Sequence, residues 1–87
     1  MGKQLETTCR LNLALCKIKQ EEFGVAVDQL ERVLEMDPRN IKALYRLSLA
    51  HSESGKPDDA WPHIKLAKSI QPKDKAIVKL YHEVNSK

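Results

Sequence analysis

Shifted by 34 residues, the chain matches itself. Leu13 falls on Leu47, Leu15 on Leu49, Ala26 on Ala60 and Pro38 on Pro72. Cys9/Ala43, Leu11/Tyr45, Cys16/Ala50, Leu30/Ile64, Val33/Ala67 and Met36/Ile70 keep apolar character across the same offset. A fixed period constrains the fold more than any single residue does. Each period must be one supersecondary unit that cannot bury its apolar face alone and stacks on its neighbours to do so.

Within each period the apolar spacing is helical. Leu11, Leu15 and Ile18 mark one face of the first segment, and Cys9, Leu13 and Cys16 mark another, so this helix is built to be sandwiched. A polar break at Gln20-Glu21-Glu22 follows, and a second helix carries Phe23, Val27, Leu30 and Leu34 up to Met36. Pro38 ends it, because the residue before a proline is biased away from helical geometry. The second period runs from Ile41 to about Glu53, breaks at Ser54-Gly55-Lys56-Pro57 and continues to Ile70 before Pro72. Here Gln71 precedes the proline where Asp37 does in the first period, so the turn is echoed only in its proline. A fifth helix with Ile77, Val78, Tyr81 and Val84 caps the stack. The expected fold is all-α: a lead over 1–6, helix-turn-helix units over 7–40 and 41–72, and a capping helix over 73–85. Ala26 and Ala60, with Ala14 and Ser48 facing them, are small because paired helices approach to about 8 to 10 Å. Pro62, close to the start of its helix, should bend it modestly.

These features resemble the tetratricopeptide repeat family, whose 34-residue antiparallel helix pairs show the small-residue pattern and terminal proline. The resemblance covers nearly the whole chain and implies a right-handed superhelical solenoid with a concave groove lined by the first helix of each pair. Three units are the usual minimum for stability. Two units and the abrupt Met1-Gly2-Lys3 start therefore suggest a piece of a longer protein.

Asn12 and Arg46 are equivalent positions, with Lys42 one turn before Arg46 on the same face. A guanidinium grips a carboxylate through two hydrogen bonds, an ammonium adds charge and an amide donates to either carboxylate or backbone. Leu11, Leu15, Tyr45 and Leu49 would floor such a site. The spacing of Asn12, Lys42 and Arg46 is similar to that in the carboxylate-clamp tetratricopeptide domains of co-chaperones. Leu11-Asn12-Leu13-Ala14 and Ile41-Lys42-Ala43-Leu44-Tyr45-Arg46 are most similar to the C-terminal domain of large immunophilins of the FK506-binding and cyclophilin types. The resemblance implies binding of the acidic C-terminal tail, Glu-Glu-Val-Asp, of heat-shock proteins 90 or 70, in the cytoplasm. It also implies a lysine and an asparagine from a preceding unit, so three of five clamp positions stand here. Any isomerase activity would belong to a separate domain.

Other readings are narrower. Without a preceding unit, Cys9, Leu13 or Cys16 would lack cover, and self-association through that flank is expected; the two thiols themselves read as core groups. At a rise of about 1.5 Å per residue they lie ~10 Å apart, too far for a mutual disulfide. His51, His63 and His82 are far apart in sequence and read as structural, and the cysteines form no zinc site, which needs four ligands. Asp58-Asp59 suits the positive end of a helix. No metal, cofactor or catalytic group is expected. A scaffold for another protein is the second reading; the net charge of +3, concentrated in Lys65, Lys68, Lys73, Lys75, Lys79 and Lys87, permits RNA, an acidic membrane surface or calmodulin as a third, though no nucleic acid is expected. No apolar run approaches the roughly 18 residues of a membrane span, and Glu6 stands where a myristoylation signal needs serine or threonine.

Overall fold

The helix boundaries follow from how each turn disposes of its backbone groups. The computed structural model describes the backbone of residues 2–85 and the side chains of residues 6–85. It comprises α1 (Gly2–Lys19), α2 (Phe23–Met36), α3 (Ile41–Glu53), α4 (Pro57–Ile70) and α5 (Lys75–Asn85), with no strand among the described residues.

α1 ends in a tight reversal in which Glu22 N–H donates to Lys17 C=O at 2.8 Å and Glu21 N–H to Ile18 C=O at 3.0 Å. Its pivot, Glu21, has φ 61°. At the equivalent place after α3, Lys56 N–H donates to His51 C=O at 2.7 Å and Gly55 N–H to Ser52 C=O at 3.2 Å, around Gly55 at φ 83°. Both turns are the same Schellman cap, which satisfies carbonyls the helix end would otherwise orphan. Only the second uses glycine. A side chain in the left-handed region costs about 1 to 2 kcal/mol, whereas glycine adopts it freely. Glu21→Gly is therefore expected to stabilise the fold by up to about 1 kcal/mol after the added freedom of the unfolded chain is counted. A lower urea midpoint for this variant would contradict that assignment.

The turns between units echo each other in more than their prolines. Asn40 Oδ1 accepts from Ala43 N–H at 2.9 Å and caps α3. At the equivalent position Asp74 Oδ1 accepts from Ala76 N–H at 3.0 Å and Ile77 N–H at 3.1 Å and caps α5. Short polar side chains at this position hold the free N–H groups of a first turn. This cap starts α5 at Lys75, where the apolar spacing alone suggested Lys73. α1 likewise extends back to Gly2, through the segment expected to be a lead. No proline or glycine interrupts residues 3–19, and the Glu6–Arg10 ion pair at 2.8 Å supports the extra turn. Pro62 is exposed, and α4 continues through it.

Packing repeats with the period. Ala26, Leu30 and Val33 of α2 and Ala60, Ile64 and Ala67 of α4 are all fully buried. Ala14 and Ser48 are fully buried opposite them, and the Ser48 hydroxyl donates to Leu44 C=O at 2.8 Å, so this small residue enters the core with its polar atom satisfied. Two apolar clusters result. One joins α1, α2 and the Ala43, Leu47, Ala50 stripe of α3; the other joins Leu44 of α3 to α4 and α5. Leu34 and Leu49 pack against both. The Cys9, Leu13, Cys16 stripe of α1 is equivalent to Ala43, Leu47, Ala50, yet it is exposed, with Leu13 at 42%. α3 has a helix pair on that side and α1 has none among the described residues. This corrects the reading of the cysteines as core groups: both thiols are exposed and unpaired.

Candidate functional site

α3 touches both α1 and α5, so the first helices of successive units form one continuous face. Three clefts run along it. A cleft of about 680 Å³ lies between Thr8 and Leu11 of α1 and Met36 to Lys42 at the start of α3. A second, of about 250 Å³, has Leu15 of α1, Lys42, Tyr45 and Arg46 of α3, and Asp74, Ala76 and Ile77 at the start of α5. The third, of about 340 Å³, continues past Tyr45 and Leu49 to Lys79 and Glu83. Lys42 lines the first two and Tyr45 the last two, so the clefts join into one groove.

Two cations meet in the middle cleft in different states. Lys42 is exposed and makes no hydrogen bond or ion pair among the described residues. Arg46 is half-buried, and its Nη1 donates to Leu11 C=O of α1 at 2.9 Å. That bond fixes the guanidinium across the α1/α3 seam and leaves Nε and Nη2 without a partner among the described residues, a fork suited to a carboxylate. Asn12 follows Leu11 in α1 and is exposed; it does not line the clefts described above. Leu15 and Tyr45 wall the middle cleft, Leu11 closes the first and Leu49 the third. The tie from Arg46 to Leu11 and the presence of Asp74 have no counterpart in the sequence reading. Its offset of 34 from the cap Asn40 would have placed Asp74 at the start of α5, but not opposite the cations.

Tyr45 sits between the clefts with its hydroxyl pKa raised, first by burial and then by the Glu83, Asp74 and Glu53 carboxylates. It is a neutral donor at physiological pH. The histidines, scattered in sequence, are partly gathered by the fold: His51 and His63 stack across the α3–α4 pair with centroids 5.9 Å apart, and His82 meets the Tyr81 ring edge-on at 5.7 Å. No group of three or more metal-binding side chains forms among the described residues. Burial lowers the His51 pKa; Asp59 and Glu31 oppose this, while His63 and Lys56 reinforce it. A folded-state pKa below the ordinary 6.5 means the unfolded chain takes up its proton first as pH falls. Stability is therefore expected to be intact above about pH 6.5 and to decline below it. Urea midpoints at pH 7.5 and 5.5 should differ less in His51→Gln than in the parent, and an equal difference would remove His51 as the cause.

A groove lined by alternate helices, with two cations over an apolar floor, defines a helical-repeat protein-interaction module. A tetratricopeptide repeat profile matches residues 17–82, and the chain belongs to that family, whose fold is a non-catalytic interaction fold. It is 35% identical over 77 residues to the peptidyl-prolyl cis-trans isomerase FKBP42 of Arabidopsis thaliana, a match covering 88% of this chain and 21% of that protein. Among solved structures, it superimposes on the C-terminal TPR-containing domain of a Plasmodium falciparum FK506-binding protein with a TM-score of 0.90 and 33% identity, covering 97% of this chain and 56% of that one. The Hsp90 co-chaperone Cns1 of Saccharomyces cerevisiae shares the fold, with a TM-score of 0.89 at 22% identity over 97% of this chain and 27% of that one. The chain thus spans about a fifth of the length of its FKBP42 relative. No described helix is long and apolar enough to cross a membrane.

Proposed function

We propose that this chain docks the acidic C-terminal end of a partner protein, with the tails of heat-shock proteins 90 and 70 as the leading candidates. The observation that carries the reading is the middle cleft, where uncommitted Lys42 and seam-anchored Arg46 converge beside Leu15 and Tyr45. A terminal carboxylate is a planar, doubly accepting anion. Arg46 offers it two parallel N–H groups, Lys42 a mobile charge and the apolar walls a seat for the adjoining side chain. Asn12, exposed on α1 next to Leu11, serves as an amide donor to the peptide further along. Similarity to FK506-binding proteins and the match of Asn12, Lys42 and Arg46 to the clamp spacing support a co-chaperone role for the parent protein. Two exposed, unpaired thiols suit a reducing compartment such as the cytosol.

The test is calorimetric titration with an acetylated pentapeptide ending Glu-Glu-Val-Asp, as free acid and as C-terminal amide. The acid is expected to bind at least about tenfold tighter, equivalent to ~1.4 kcal/mol for one charge-assisted contact. Equal affinity, or no heat from either form, would remove the carboxylate reading.

A further inference from the structure

The groove is asymmetric in charge on either side of Lys42 and Arg46. Towards the α2–α3 turn, the cleft of about 680 Å³ holds Arg39 and Lys42 with a single carboxylate, Asp37. Towards α5, Asp74 borders the middle cleft, and Glu83 and Lys79 border the third. Cations prevail on the side of the turn and carboxylates on the side of α5, so an acidic chain leaving the two cations is drawn towards the turn.

The backbone holds Arg39 at that exit. Asn40 N–H donates to Asp37 C=O at 3.0 Å, Asn40 caps α3, and Pro38 fixes one torsion inside the turn. The Arg39 side chain is exposed and makes no hydrogen bond or ion pair among the described residues, so its fork of N–H donors is uncommitted. Leu11 and Met36 give the same cleft an apolar wall, and Met36 is 42% exposed there. Asp37, exposed beside Arg39, weakens the field and limits any anion contact to the strength of a solvent-exposed pair.

We propose that Arg39 is a second anion subsite: the first cleft receives an acidic side chain from upstream of the terminal carboxylate, and the peptide leaves the clamp towards the α2–α3 turn. This inference rests on the carboxylate reading above. Arg39 and Arg46 are seven positions apart, about 10 Å at the helical rise of ~1.5 Å per residue. An extended peptide covers that distance in about three residues, at roughly 3.3 Å each. The glutamates of a Glu-Glu-Val-Asp end stand two and three residues before the last, and either one reaches the guanidinium. The subsite thus requires an acid in that stretch and not at one fixed place.

Arg39→Gln is the test variant, because the exposed, unengaged side chain can be changed without disturbing the fold. The probes are acetylated pentapeptide acids ending Glu-Glu-Val-Asp or Gln-Gln-Val-Asp, titrated at about 0.15 M ionic strength to screen distant charges. Changing both glutamates at once frees the measurement from the register of the peptide. The parent is expected to bind the Gln-Gln form more weakly, and Arg39→Gln should shrink the ratio of the two dissociation constants about threefold to fivefold. Lys79→Gln, which removes a cation on the α5 side, should change that ratio by less than about 1.5-fold. Equal changes in the two variants would show a general charge effect, and a change in Lys79→Gln alone would send the peptide towards α5. Either result overturns the proposal, as does no change in both. Arg39→Gln should still prefer acid over amide, since Lys42 and Arg46 hold the terminal group; loss of that preference would put Arg39 in the clamp itself and overturn a separate subsite. Failure of the parent to prefer acid over amide would instead overturn the carboxylate reading, so the two failures are distinguishable.

Discussion

Leu47→Ala is expected to lower the unfolding free energy by about 2 to 5 kcal/mol, the range for deleting a buried leucine side chain and leaving a partly collapsed cavity. Leu47 is fully buried in the cluster that joins α1, α2 and α3. α3 is the helix on which both clusters depend, because Leu47 and Leu44 place it in one and the other. Against a total of roughly 4 to 13 kcal/mol for a chain of 87 residues, at about 0.05 to 0.15 kcal/mol per residue, the loss removes a large share. The melting temperature should fall by about 10 °C or more, at about 4 to 8 °C per kcal/mol for a domain of this size. Leu13→Ala is the internal control. It makes the same chemical change at the equivalent position of the first unit, where the side chain is 42% exposed, and should cost less than about 1 kcal/mol. Comparable losses for the two variants in urea unfolding would mean that Leu13 is covered in solution, contrary to the arrangement of α1. Trp61, the one tryptophan, packs at a tilt against Tyr81 with ring centroids 5.1 Å apart in the second cluster, so its fluorescence reports that end of the stack while circular dichroism reports every helix. Coincident transitions in Leu47→Ala would show that α3 couples the two clusters; an earlier dichroism transition would show that the first can melt alone.

The contrast between Leu13 and Leu47 also shows what the sequence could and could not disclose. The period was legible because burial imposes it: Ala26 and Ala60, Leu30 and Ile64, and Val33 and Ala67 face equivalent contacts and therefore share size or polarity. The exposed stripe Cys9, Leu13, Cys16 looks the same as its buried counterpart, because residue type records the surface a helix is suited to meet, whatever lies against it. The turns were half legible. Prolines announce themselves, but Asn40 and Asp74 differ in identity while doing the same capping work, and Glu21 takes a backbone angle for which only its counterpart Gly55 is suited. Of the candidate site, the meeting of Lys42 and Arg46 with Leu15 and Tyr45 followed from helical spacing and the offset. The bond from Arg46 to the Leu11 carbonyl did not, because a backbone acceptor carries no residue-specific signal. The placement of Asp74 opposite the cations depends on the angle at which α5 returns across α3, which no local pattern encodes.

That bond makes the two cations separable by mutation. Lys42→Ala is expected to weaken the acid form of the peptide about tenfold, bringing it towards the amide form, while stability changes by less than about 0.5 kcal/mol, since the side chain is exposed and unengaged. Arg46→Ala should weaken the acid form by about 10- to 100-fold, for loss of a charge-assisted contact worth about 1.5 to 3 kcal/mol. It should also destabilise the fold by about 1 kcal/mol, because the tie to Leu11 C=O across the α1/α3 seam goes with it. Arg46→Lys retains the charge but not the fork, and a single ammonium cannot hold the Leu11 carbonyl and two carboxylate oxygens in one plane. It is expected to recover less than half of the lost binding free energy. Raising salt from 50 to 300 mM should erode the affinity remaining in Arg46→Ala more steeply than that in Lys42→Ala, because exposed Lys42 is screened and part-buried Arg46 is not. If Lys42→Ala and Arg46→Ala both leave the preference for acid over amide intact while the peptide still binds, the carboxylate is held elsewhere. Loss of that preference in Lys42→Ala without loss of stability is the result only a ligand-facing lysine would give.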